Sequence, residues 1–420
     1  MKFANDYKYK KEYLKLIYAA LFFYAFVIAI KLAYSAQMVE IISYYKSTKS
    51  LVALGPTIYY AVYSVAQVVL GIFIHKINLK RYLIITTILS AISFSFIGLT
   101  SDLWQVWLIF GLNGILQSAS WGGINYILCN RLPNGLLPYA NKIVITGFAI
   151  GNSLTYAVSA LCVEFLSWKL TFAVLGTIFI LSLFNLIHKD RLVAKINAIG
   201  DEIEEKIEPL AKHTYVIPQG KKFNVKMHMA IMALLAFGST SLMYAFCNWI
   251  PNILVEIHNF PVSLSILITL IVPLVDAPAK IISYSLYDKT NKVYFGGALS
   301  GFATMILLGV MIFVYDTNLI LVIIMCVLLK FFTAFFFGTY CTYTIMKYKN
   351  YVNVAKETLI NNALASFGAG IMPFIGALVM DLLNWKAYFI FLTGFALLTT
   401  IIALVLALVV KIKRNVSEYV

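Results

Sequence analysis

The chain has 420 residues, 61% hydrophobic and 12% charged, with a formal net charge of +15 and a mean hydropathy of +0.85. A soluble domain carries about twice that charged fraction, so the composition excludes an ordinary soluble globular protein and points to a polytopic membrane protein. The basic residues are scattered over loops and form no compact basic domain, which argues against a nucleic-acid partner.

Apolar windows of about 20 residues can cross a bilayer as helices. Twelve are predicted, at 14–38, 52–75, 82–100, 103–129, 139–164, 168–188, 227–252, 262–287, 295–315, 318–346, 355–381 and 386–410. The expected fold class is therefore an all-α membrane protein with twelve transmembrane helices. The first window is too long for a cleaved signal, and no A-x-A-like site follows it. With the N-terminus inside, four of the 33 Lys and Arg residues (Lys46, Lys49, Lys169, Lys386) fall outside, three (Lys31, Lys280, Lys330) fall within spans, and the other 26 are cytoplasmic. That asymmetry predicts a multi-pass protein of the cell membrane with both termini in the cytoplasm.

The first span contains YAFVIAIKLAYSA, with Lys31 as its lone charge. A lysine at a helix centre costs roughly 2.5–3.5 kcal/mol on insertion scales, so it normally faces a bundle interior or an aqueous cavity. A structural pair or snorkelling is the alternative, and snorkelling is poor nearly midway along a span. On a helix Tyr24, Val27, Lys31, Tyr34 and Ser35 share a face. An ammonium flanked by two phenols and a hydroxyl makes an anion site, although tyrosines in membrane helices also serve simply as packing.

The loop after the second span reads GIFIHKINLKR, with Lys76, Lys80 and Arg81. In the fifth span GFAIG (147–151) reads as close helix packing. The longest polar stretch, about Lys189 to Lys226, includes DEIEE and reads as a solvated linker. It divides the chain into six spans at 1–188, a cytoplasmic loop at 189–226 and six spans at 227–420. The eighth span, IVPLVDAPAKIIS, places Asp276 and Lys280 four apart on one face. Pro273 and Pro278 interrupt it, and breaks near the midplane often mark sites. The pair either neutralises itself or opens for a solute, Lys280 taking an anionic group and Asp276 a proton or an amine. Lys330, in LLKFFTAFFFG of the tenth span, faces either the cavity or a lipid headgroup. Gln67, Asn113, Gln117, Tyr244, Asn248, Asn361 and Asn362 are further polar positions; each lines the site or makes an interhelical hydrogen bond. The five cysteines form no CxxC and the histidines have no metal-ligand spacing, so neither disulfides nor a metal is expected. No cofactor is expected.

The two sets of spans repeat. GNSLTYAVSALCVEFLSWKLTF (151–172) aligns without a gap with GAGIMPFIGALVMDLLNWKAYF (368–389), pairing Glu164 with Asp381 and Trp168 with Trp385. Internal repeats of this kind build many secondary transporters, with the substrate site between them. Two such sets of six resemble the major facilitator superfamily. Its G-x-x-x-D-R-x-G-R-R signature is matched through Gly71, Lys76 and Lys80, with Arg81 directly after it, His75 at the acid and Asn78 at the glycine. The second copy keeps Asp288 and Lys289 but has Tyr284 for the glycine. Within the superfamily, GLNGILQSASWGG (111–123), NWIPNILVE (248–256), the spacing of Pro278 and Asp288, and NWKAYF resemble the organophosphate:phosphate antiporter family.

That resemblance implies phosphate binding by bases on the first and seventh spans. Lys31 stands at or beside the first. Met243 stands where the second is expected, Gln67 where a lysine of the second span is usual, and Phe148 where a histidine of the fifth is usual. The expectation is thus a secondary active transporter of a small organic anion, a phosphate ester or a carboxylate, working by alternating access. Lys31, Lys280, Asp276, Tyr34, Tyr24, Gln117, Tyr244, Asn248, Lys330 and Asn361 would bind substrate, and Asp276 would couple. Lys76, Arg81, Asp288 and Lys289 would gate the inner face, in a monomer within the lipid bilayer. A zwitterion carrier and a transporter-like sensor are the rival readings. No nucleophile–base set or phosphate loop supports an enzyme.

Overall fold

The structure, a computed structural model, describes residues 10–73, 77–133, 136–201, 225–290, 293–339 and 354–416. All regular structure among them is helical. The first six spans comprise α1 (Lys10–Ala36) with α2 (Met38–Tyr45), α3 (Lys49–Phe73), α4 (Leu79–Ser95), α5 (Leu103–Gln117) with α6 (Ser120–Arg131), α7 (Leu137–Ile145) with α8 (Gly147–Phe165), and α9 (Leu170–Asp201). The last six comprise α10 (Val225–Asn248) with α11 (Ile250–Glu256), α12 (Val262–Thr269) with α13 (Ile271–Leu274) and α14 (Asp276–Thr290), α15 (Val293–Val314), α16 (Leu319–Gly338), α17 (Val354–Leu382) and α18 (Trp385–Val416). Among the described residues eleven helical stretches are long and apolar enough to cross a membrane. The remaining predicted span, 103–129, is the α5–α6 pair, broken at Ser118 and Ala119. The sixth span runs on to Asp201 as one helix, well past the end of its apolar window.

Proline chemistry explains the breaks in the eighth span. A proline inside a helix removes the hydrogen bond to the carbonyl four residues before it. Pro273 frees Thr269 and Pro278 frees Leu274, and these residues end α12 and α13. Pro56 lies inside α3 and frees the carbonyl of Val52. The Tyr34 hydroxyl donates to that carbonyl at 2.8 Å, so the helix passes its proline unbroken with no orphaned acceptor.

The first span is enclosed by α8 and α9, α3 lies on α5, and α4 on α9; later in the chain α10 packs on α17, α15 on α18 and α14 on α16. Small residues allow the closest approaches. A Cβ on Gly151 would stand 2.2 Å from the Ala25 carbonyl oxygen, and one on Gly147 3.0 Å from that of Leu21. GFAIG is thus helix packing, as its residues suggested. A Cβ on Gly114 would likewise stand 2.5 Å from the Tyr59 carbonyl oxygen.

Between the first six spans and the last six, α3 packs on α17, and α8 on α12 and α13. Polar contacts line the first seam: Thr57 Oγ1 donates to the Gly370 carbonyl at 2.8 Å, Ser64 Oγ to that of Ala363 at 2.9 Å, and Asn362 Nδ2 to Gln67 Oε1 at 2.7 Å. Its far end is closed by charge. Asp381 accepts from the backbone N–H groups of Lys49 (3.2 Å) and Ser50 (2.8 Å) at the start of α3. Lys49 Nζ lies 2.9 Å from Glu256 Oε2, and Trp385 Nε1 donates to the same oxygen at 3.0 Å.

Candidate functional site

Three of the four intramembrane charges meet at one point. Asp276 opens α14, right after the break that Pro278 causes. Its Oδ2 lies 2.5 Å from Lys280 Nζ, one turn on, and its Oδ1 lies 3.1 Å from Lys330 Nζ of α16. The carboxylate is buried; the Lys330 side chain is 5% exposed and that of Lys280 25%. Lys330 therefore faces the bundle interior rather than a lipid headgroup. An isolated buried charge is expensive, and two ammonium groups on one carboxylate leave a triad of net +1.

Lys280 also reaches across to the first six spans. Its Nζ lies 4.3 Å from the ring centre of Phe148 on α8 and 4.9 Å from that of Phe337 on α16. An ammonium over an aromatic face is held by the ring quadrupole. Phe148 stands where the family resemblance leads one to expect a histidine, and here it supplies a π-face to a cation.

Lys31 is half-buried, with Nζ 4.0 Å from the ring centre of Tyr63 on α3. Among the described residues no carboxylate lies within ion-pair distance of it. The Tyr63 hydroxyl in turn accepts from Gln67 Nε2 at 2.9 Å, and Gln67 holds Asn362 of α17. Tyr24, two turns before Lys31 on α1, packs on Trp121 with ring centres 4.8 Å apart. A Cβ on Gly147, the neighbour of Phe148, would stand 3.1 Å from Tyr24 Cδ1. Tyr244 packs edge-on against Tyr60 at 5.6 Å. Ring contacts tie these charged and phenolic groups to both sets of spans: Lys31 to Tyr63, Lys280 to Phe148, and Tyr244 to Tyr60.

Other predicted residues stand elsewhere or in other roles. Tyr34 is fully buried, stacked on Phe110 at 5.0 Å, with its hydroxyl committed to Val52. Gln117 accepts from the Tyr59 hydroxyl at 2.9 Å and donates to Ser90 Oγ at 3.3 Å, inside a network that continues to Asn113. Asn248 is buried at the end of α10, beside the break before Pro251, and its Nδ2 has no hydrogen-bond partner among the described residues. Asn361 is buried on α17. Of the gating residues, Arg81 is exposed on the first turn of α4. Asp288 and Lys289 sit on α14 with side chains outside the described residues, as is the whole of Lys76.

The sequence profile of the Major Facilitator Superfamily matches residues 17–355. The chain belongs to the Major Facilitator Superfamily. It is therefore a multi-pass membrane transporter of that superfamily, with its fold. No curated protein matches it in sequence. Its fold is similar to solved structures of a bacterial homologue of the human lysosomal transporter Spinster in an inward-facing, unoccupied conformation. There the identity is 14% and the TM-score 0.71, over 95% of this chain and 96% of the other. It is also similar to the nucleoside transporter NupG, at 13% identity and a TM-score of 0.69, over 94% of this chain and 98% of the other. Identities this low establish the fold alone. For a superfamily member the position of the cluster is informative: it lies between the first six spans and the last six, where Lys280 meets Phe148. Tyr60, Tyr63, Phe148 and Phe337 were not singled out as contributors to this cluster from sequence. Aromatic residues make up 15% of the chain, so four more in apolar helices carry no signal.

Proposed function

We propose that this transporter carries a small organic anion across the cell membrane by alternating access. The observation that carries the reading is Lys31, a half-buried ammonium with no carboxylate in ion-pair distance among the described residues. With the triad's +1 the cavity sums to +2, and a low-dielectric cavity of that sign concentrates anions. Lys31 binds one end of the solute. Lys280, the more exposed lysine of the triad, swings from Asp276 to the other end, while Lys330 keeps the carboxylate compensated. Tyr24 and Tyr244 line the walls, with Asn248 and Asn361 as further polar contacts.

Phosphate esters lead on the resemblance to the organophosphate:phosphate antiporters, with carboxylates next because the seventh span has Met243 in place of a base. A zwitterion's amine would have to displace two ammonium groups from Asp276, which disfavours that alternative. The two six-span units, 1–188 and 227–420, joined by the cytoplasmic loop 189–226, rock about the bound solute in a monomer with both termini inside. Closure by Asp381, Lys49, Glu256 and Trp385 seals the outer face, and Lys76, Arg81, Asp288 and Lys289 act at the inner one. In this reading Asp276 also couples transport to protons. Asp276→Asn is expected to flatten the pH dependence of uptake, and an unchanged pH profile contradicts the coupling role.

Thermal unfolding of the purified protein against phosphate, sugar phosphates, carboxylates, amino acids and nucleosides tests substrate class. A ligand at about 100 times its dissociation constant stabilises by roughly 2.7 kcal/mol. Stabilisation of the wild type by a phosphorylated anion, absent in Lys31→Ala, is the expected result. Stabilisation only by nucleosides or amino acids contradicts it.

A further inference from the structure

A second cluster of charge lies away from Asp276, Lys280 and Lys330. Asp190 on α9 is 1% exposed, and its two oxygens are taken by different helices: Lys80 Nζ, from the first turn of α4, bonds Oδ2, and Arg131 Nε, from the last turn of α6, bonds Oδ1 at 2.7 Å. The two cationic side chains remain 28% exposed. Above them is a cavity of about 240 Å³, lined also by Asn78, Tyr126 and Asn130.

One carboxylate between two cations leaves +1 at the cavity floor. Arg131 spends its Nε on Asp190, and its two Nη groups have no hydrogen-bond acceptor among the described residues. Lys80 has N–H groups left after its one bond. The cavity also borders the N-terminus of α4, a 17-residue helix whose first turn carries partial positive charge. The opposing carbonyl of Arg131, at the end of α6, is occupied by Asn197 Nδ2 at 3.0 Å, and Asn197 is itself held by the Tyr13 hydroxyl at 3.0 Å. The floor is thus rigid, positive and supplied with free donors in a fork. A planar guanidinium with two free Nη groups suits an oxyanion with several acceptor oxygens, and phosphoryl groups are the common case.

We propose that Lys80, Arg131 and the buried Asp190 that positions them form a second anion site, for a phosphoryl group, at the bundle end where α1 begins. The ligand is either the headgroup of an anionic phospholipid or a free phosphate ester. The site is separate from the central one and does not depend on the substrate proposed there.

Native mass spectrometry of the full chain in detergent tests it, with short-chain phosphatidylglycerol, short-chain phosphatidylcholine and inorganic phosphate as probes. The expected result is phosphatidylglycerol binding that exceeds phosphatidylcholine binding. Arg131→Gln should weaken it by about tenfold or more, Arg131→Lys should weaken it less, and Lys31→Ala should leave it unchanged. Inorganic phosphate binding with the same sensitivities, without the lipid, supports the site with a free ligand as its source. Equal binding of the two lipids, or binding indifferent to Arg131→Gln, overturns the proposal. So does binding lost in Lys31→Ala, which assigns the anion to the central cavity. Should Arg131→Gln fail to fold, Lys80→Gln, which keeps the Arg131–Asp190 pair, is read against the same outcomes.

Discussion

At the scale of single residues, the membrane interior forces each charge to show its purpose. Asp276 is compensated twice, and Lys31 by no acid among the described residues. Removing one member of a buried pair leaves an uncompensated charge and costs about 3–5 kcal/mol. Asp276→Asn leaves two ammonium groups facing each other in the bundle, so its thermal midpoint is expected to fall sharply. Asp276→Asn with Lys330→Met should regain much of the loss, and a double variant no more stable than the single one contradicts the pairing. Tyr34 separates structure from site. Tyr34→Phe strips the donor from the carbonyl that Pro56 orphans, at a cost of about 1–3 kcal/mol. Because that hydroxyl points into helix packing, the ligand-induced shift should be unchanged; loss of ligand response would put Tyr34 back in the cavity. Lys31, Asp276, Lys280 and Lys330 were legible because any charge stands out in an apolar run. Which tyrosine lies against Lys31 was not, since Tyr34 and Tyr63 differ only in what lies opposite them.

At the scale of elements, the breaks in the seventh and eighth spans fall where the last six spans meet the first six: α11 packs on α2, and α12 and α13 on α8. The eighth span is cut at Leu270 and Val275, each one residue past the carbonyl its proline orphans. The seventh is cut at Trp249, two residues before Pro251. The proline breaks could be read from sequence. The break in the fourth span at Ser118 and Ala119 has no proline, and it divides a window that is apolar throughout. The closure by Lys49, Glu256 and Asp381 also escaped sequence reading, because the three lie far apart in the chain and resemble ordinary loop charges. The Asp381 carboxylate sits at the N-terminus of α3, where a negative charge is favoured by the helix dipole. Asp381→Asn should weaken the closure and populate an outward-open arrangement. Spin labels at Thr48 and Leu383, both exposed, would then show a longer distance component by pulsed electron resonance; an unchanged distribution contradicts a gating role.

At the scale of the whole molecule, length, hydropathy and lysine placement were enough for the fold class, because a bilayer permits few architectures for so apolar a chain. They say little about the solute, because that depends on which side chains from distant spans converge. Lys280 facing Phe148 across the two sets of spans is such a convergence. The measurement that tests the central claim most directly is uptake of labelled anions into proteoliposomes, comparing wild type with Lys31→Ala. Saturable uptake of a phosphorylated or carboxylated anion is expected from the wild type, with loss of that uptake in a Lys31→Ala protein that remains folded. Equal uptake by both proteins, or uptake confined to neutral solutes, would contradict anion transport through Lys31.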